Sequence, residues 1–263
     1  MCRVRNLLAA VLLCAFVPAT AHATLSAHLY ASLTPERLGQ RTTVGFGFQF
    51  AAPAGQIPTP LTKVEVRYPG NLGIALSGLG IATCSPATLE NPESKGCPPN
   101  SRMGYGTALA EIPIGPLIVP ETTRIAVFRA PTQNGHLALL FYAEGKTPVS
   151  AEIVFPGLLL PAQEPFGGAI TMNIPPIIGL PGDLNVAVVK LSSTIGPQQI
   201  IYYEHTHDGT VAYHPQGVLL PDSCPHGGFP FAALFSFEDG THASADTVVR
   251  CPLKARVASL PGW

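Results

Sequence analysis

Three histidines stand close together in QIIYYEHTHDGTVAYH, residues 199–214: His205, His207 and His214. An H-x-H pair on a strand puts both imidazoles on one face, because successive strand residues alternate sides. Asp208-Gly209 signals a two-residue hairpin turn, since a type I′ turn needs positive φ at both central positions. That register sets His207 opposite Thr210, His205 opposite Ala212 and Tyr203 opposite His214. His214 is then diagonal to His205, within side-chain reach. It also puts Ile200, Tyr202, Val211 and Tyr213 on the other face, towards the core. Three imidazoles so placed are a candidate Zn²⁺ or Cu²⁺ site. The competing expectation is a solvated polar face, because no fourth ligand can be identified. The expected metal and cofactor content is therefore none, with these histidines kept as candidates.

Cysteine chemistry depends on which compartment the chain reaches. Residues 1–23 read as an export signal: Arg3 and Arg5, an apolar run from Leu7 to Val17, then the small-x-small site Ala21-His22-Ala23. The run is too short for a membrane span. Leu13 precedes Cys14 where a lipidation motif needs a small residue. Of the six cysteines, Cys2 and Cys14 leave with the signal, and Cys84, Cys97, Cys224 and Cys251 remain. An even number in a secreted chain implies two disulfides with three possible connectivities. Pairing Cys84 with Cys97 and Cys224 with Cys251 closes the shortest loops, each bridge contributing roughly 3 kcal/mol. Zinc ligation is the rival, but no cysteine pair has C-x-x-C spacing.

Hydrolytic chemistry has weaker support. No G-x-S-x-G elbow is present. The acids Glu111, Glu144, Glu152 and Glu204 are scattered, and no spacing makes them converge. No calcium loop or N-x-S/T acceptor occurs. The expectation is a protein without catalysis, with a secreted hydrolase of unrecognised type as an alternative.

Removing 23 of 263 residues leaves 240, enough for one large β unit or two small ones. Losing Arg3 and Arg5 takes the basic count from 15 to 13, against 16 acidic residues. A mildly acidic chain has no electrostatic footprint for nucleic acid. Charged residues are 12%, well below the usual ~25%. The most apolar later stretch, Ile153 to Gly182, is broken by six prolines, so no transmembrane anchor is expected.

Stepping along the chain, alternation dominates. Val44, Phe46, Phe48 and Phe50 share one face of a strand, as do Val64, Val66 and Tyr68. Further strands are predicted at Ser26–Leu33, Gly104–Ile112, Arg124–Arg129, His136–Ala143, Val149–Phe155, Ala169–Ile174 and Asn185–Leu191. A hairpin turning at Asp239-Gly240 points Phe231, Phe235 and Phe237 to the core, and a Cys224–Cys251 bond would staple its base. The segment CSPATLENPESKGC lacks alternation and reads as an irregular loop pinned at its ends.

The succession Cys97-Pro98-Pro99-Asn100-Ser101-Arg102-Met103-Gly104, then Ala130-Pro131, Leu180-Pro181-Gly182 and Cys251-Pro252, resembles uncharacterised secreted proteins of soil actinobacteria. The resemblance implies export, β-architecture and a non-enzymatic role, and no cofactor or site residue. The expected fold is an all-β antiparallel β-sandwich, immunoglobulin-like, as one large or two tandem units. The expected division is a signal peptide at 1–23, an N-terminal immunoglobulin-like unit at 24–96 and a C-terminal β-sandwich at 97–263. The expected role is secreted or cell-envelope binding or structural work, with an envelope polysaccharide or a protein as partner.

Overall fold

The computed structural model describes residues 25–52, 56–75, 77–90, 96–148, 150–178 and 185–251. The export signal, the Leu180-Pro181-Gly182 segment and Pro252 lie outside them. Strands take 60% of the described residues and helix 4%, an all-β fold. The strands are β1 (Ser26–Thr34), β2 (Arg41–Ala51), β3 (Leu61–Pro69), β4 (Arg102–Ile114), β5 (Leu117–Gln133), β6 (His136–Gly145) and β7 (Ala151–Pro161). They continue with β8 (Phe166–Asn173), β9 (Ala187–Ile195), β10 (Tyr202–Thr206), β11 (Gly209–Tyr213), β12 (Val218–Leu219), β13 (Phe229–Phe237) and β14 (His242–Val249). One short helix, α1 (Pro86–Glu90), interrupts the pattern. No helix among the described residues is long and apolar enough to cross a membrane.

Twelve strands form one antiparallel sheet in the order β1-β2-β9-β4-β5-β6-β7-β8-β3-β13-β14, with β12 added beside β2. The sheet curls into a nearly closed barrel. The all-β antiparallel expectation holds, while an immunoglobulin-like pair of stacked sheets is not confirmed: the large sheet rolls on itself, and β10–β11 form a separate two-stranded sheet. One-sided alternation is common to both architectures, and strand neighbours decide between them. Those neighbours also run across the expected boundary at 96/97. β2 pairs with β9, and β3 with β8 and β13, so strands from both sides share ladders. Because direction alternates along the path, β1 and β14 run the same way where they meet. No ladder joins these two edges among the described residues.

The polarity of the wall follows from the alternation. Inward positions carry Val44, Phe46, Phe48, Val64, Val66, Val127, Leu139 and Phe231, all buried in one core. Outward positions carry Lys63, Glu65, Arg67, Arg124 and Lys190. A lipid-facing barrel has the opposite arrangement, an apolar outer band around a polar lumen. Beneath the seam, Phe48 and Phe50 of β2 meet Phe235 and Phe237 of β13 edge-on, with centroids 4.9–5.2 Å apart. Such contacts contribute about 0.5–1.5 kcal/mol each beyond area burial and tie the two sides of the seam together.

One end of the barrel is stoppered. The long connection after β3 brings Leu79 into the core, and Val218 and Leu220 close over it. Tyr202 is fully buried there. Its hydroxyl donates to the Arg102 carbonyl (2.5 Å) and accepts the Gly80 N–H (2.6 Å). Burial raises the Tyr202 pKa, partly offset by the Gly80 bond. Gly80 has φ +61°, and a Cβ there would lie 2.6 Å from the Arg129 Cβ, so only glycine fits. Arg129 in turn donates to the Gly80 carbonyl at 2.8 Å. The bonds Cys84–Cys97 and Cys224–Cys251 are both formed, in the sequence-local pairing. The first fixes the loop over Phe128, Ala130, Ala138 and Leu140 on the outer wall. The second closes the base of the β13–β14 hairpin.

Candidate functional site

Small inward side chains decide where the barrel is empty. Ala108 and Ala110 of β4 and Ala143 of β6 are too short to reach the axis. A void of about 90 Å³ remains between them and Phe46, Phe48, Ile125, Phe141, Phe155 and Met172. Its polar lining residues are Glu121, Thr123 and Ser193. Away from these three side chains the lining offers a water molecule no partner, and its walls forgo dispersion contacts. Such a lining suits hydrocarbon better than polar groups.

Glu121 is the unusual member. It occupies an inward position of β5, in phase with Thr123 and Ile125, and is 5% exposed. The Thr147 backbone N–H donates to its Oε1 at 2.8 Å. Gly145, at the end of β6, makes the space: a Cβ there would lie 2.9 Å from Oε1. On its other side Glu121 borders a surface hollow of about 270 Å³ with Arg124, Glu144 and Lys146. The carboxylate thus stands between an apolar interior and water, at the end opposite the stopper.

The same end carries exposed apolar groups. Ile112 packs with Ala110 and Val186, and Ile114 and Ile177 lie against them. Beyond these, Leu117, Ile118 and Ile178 stay in solvent, Ile178 at 76% exposure. Tyr142, on the outer wall, hydrogen-bonds Glu152. Partial burial, that bond and the Glu152 and Glu144 charges push its pKa up to about 12.

The histidines are placed differently from their expected geometry. The β10–β11 register pairs Tyr202 with Tyr213, Tyr203 with Ala212 and His205 with Thr210. This is a two-residue slip, and His207-Asp208 now form the turn. His207 is fully exposed, 3.3 Å from Asp208. His205 Nδ1 lies 2.9 Å from the Thr210 hydroxyl. His214 Nδ1–H donates to the Ile200 carbonyl at 2.9 Å. Along the strand, Thr210 and His214 are four rises apart, roughly 13 Å, so His205 and His214 do not converge. No group of three metal-binding side chains forms among the described residues. The slip has a tertiary cause. The Tyr202 and Tyr213 rings pack edge-on at 5.9 Å, and Asn100 clamps Tyr203 through both its N–H and its C=O. Those contacts override the local turn signal. Tyr202 and Ile200 are buried as expected, but Val211 is 51% exposed.

Of the scattered acids, Glu144 and Glu152 are cross-strand neighbours on the outer wall. Glu144 is ion-paired with Lys146 at 3.1 Å. Glu111 lies on β4 opposite Pro120, and Glu204 is exposed on the hairpin. Sequence reasoning missed Glu121 because Pro120 obscured the start of β5, predicted to begin at Arg124. The usable signal was phase: Glu121 is two residues before Thr123 and four before the buried Ile125. No family model, curated protein or solved structure matches the chain.

Proposed function

We propose that this protein is an extracellular, non-catalytic binding protein that holds a small hydrocarbon group inside its barrel. The observation that carries the reading is the apolar void of about 90 Å³ with a carboxylate at its rim. Catalysis would require converging groups, and the void lining holds one acid, Glu121, with no histidine or cysteine. Two disulfides and an outward-polar wall support a protein that works outside the cell, free or at the envelope surface. The void is smaller than the engineered ~150 Å³ cavity that takes up benzene, so the bound group is a few carbons wide and long.

The test is thermal melting with rising concentrations of 1-butanol. A ligand that binds only the folded state raises Tm in proportion to RT ln(1 + [L]/Kd). The expected result is a rise that grows with the logarithm of ligand concentration in the native protein and none in Ala110→Leu, which fills the void. A Tm that stays flat in the native protein would overturn the reading.

A further inference from the structure

A second void, of about 40 Å³, lies deeper in the barrel towards the stoppered end, bordered by Val66, Met103, Leu139 and Phe231. Phe46 is the residue that lines both voids. It projects inward from the middle of β2 and is 9% exposed. The two voids follow one another along the barrel, and their polarity changes with depth. The outer one has Glu121, Thr123 and Ser193 in its lining. The inner one is lined by hydrocarbon, aromatic and thioether side chains, with a tyrosine and no charged residue.

Building on the ligand-binding reading, we propose that Phe46 is a partition that sets the length of a straight-chain ligand, an amphiphile whose hydrogen-bond-donating head lies at Glu121. A chain entering at the rim runs its tail down the axis until it meets the Phe46 ring. The inner void is the space beyond that stop. Glu121 selects the head. Its carboxylate accepts hydrogen bonds, so a hydroxyl or ammonium head complements it, whereas a carboxylate head would meet like charge in a desolvated place. The ligand class is therefore a straight-chain primary alcohol or amine rather than a fatty acid.

The experiment is calorimetric titration of the native protein with 1-alkanols, 1-aminoalkanes and alkanoates from two to twelve carbons. In the native protein, affinity should grow about fourfold for each added methylene and then stop at a break length. In Phe46→Ala the break should move out by at least two carbons, because the voids become one. Phe46→Leu, which keeps more of the packing, should move it by a smaller amount in the same direction. Alkanoates should bind at least tenfold more weakly than alcohols of equal length at pH 7, and Glu121→Gln should narrow that gap. An unchanged break in Phe46→Leu or Phe46→Ala would overturn the partition while leaving the binding reading intact. Equal affinity for alkanoates and alcohols would overturn the role of Glu121. Failure of the native protein to bind any chain would overturn the inference together with the reading beneath it.

Discussion

The two ends of this barrel solve opposite problems with similar parts. Each uses a glycine to admit a polar group into an apolar setting. At the stoppered end, Gly80 lets Arg129 approach and gives its N–H to the buried Tyr202 hydroxyl. At the rim, Gly145 leaves space for the Glu121 carboxylate. The difference lies in what surrounds the polar group. Tyr202 both donates and accepts, so its hydroxyl is satisfied within the protein. Glu121 receives one backbone N–H and faces a void. On the binding reading, rigidity lies at one end of the wall and ligand at the other.

If that division holds, perturbing the stoppered end should cost stability, and perturbing the rim should change binding with little cost. The largest effect is expected from replacing Cys224 and Cys251 together by serine. The closed loop spans 27 residues, so the loss should be about 3–4 kcal/mol. In a protein of this size that lowers Tm by about 10 °C, measurable by calorimetry. A loss below about 1 kcal/mol would break the claim that this end carries the rigidity. Tyr202→Phe is expected next, at about 1–3 kcal/mol, because it strands the Gly80 N–H and the Arg102 carbonyl. Denaturant melts of the two proteins would read it.

Changes at the rim should be smaller. Gly145→Ala places a methyl against Oε1 of Glu121 and should cost about 1 kcal/mol, the low end for overpacking because the group that must give is the far end of a flexible side chain, while weakening alcohol binding several-fold. An equal loss of stability and binding would erase the contrast between the ends. The smallest effect concerns Tyr142. Its raised pKa means that the folded state holds the proton more tightly than the unfolded state. The stability it contributes is present below pH 10 and is lost as pH rises through about 12. Tyr142→Phe should therefore flatten the decline in stability across that interval, and ultraviolet titration should show one fewer late-ionising phenol.

Local pattern carried much of this architecture. Period-two alternation located the inward faces of β2 and β3, and the phenylalanines of β13 fell on the predicted side. The sequence-local disulfides also formed, because a bond across Cys224 and Cys251 matches the base of the β13–β14 hairpin. Closure was not legible. Alternation reports which side of a strand is wet, but not which strand comes next. The pairings β2–β9 and β3–β13 join segments more than a hundred residues apart. The hairpin register failed for a related reason, since Asn100 and the Tyr202 anchor act from distant parts of the chain. Glu121 was hidden by its own neighbour: Pro120 is tolerated because the start of β5 pairs only with β4.

An odd number of alternating strands bent into a ring must leave two companions pointing the same way. Here they are β1 and β14, and among the described residues backbone groups that elsewhere find cross-strand partners are left without a ladder along that line. Breathing should start there. Amide protons of the outermost residues on both strands should exchange with deuterium sooner than those of β5 or β6, which are flanked on each side. A guest reaching the interior would then have a lateral door as well as the rim, with the phenylalanine cluster beneath it acting as the latch.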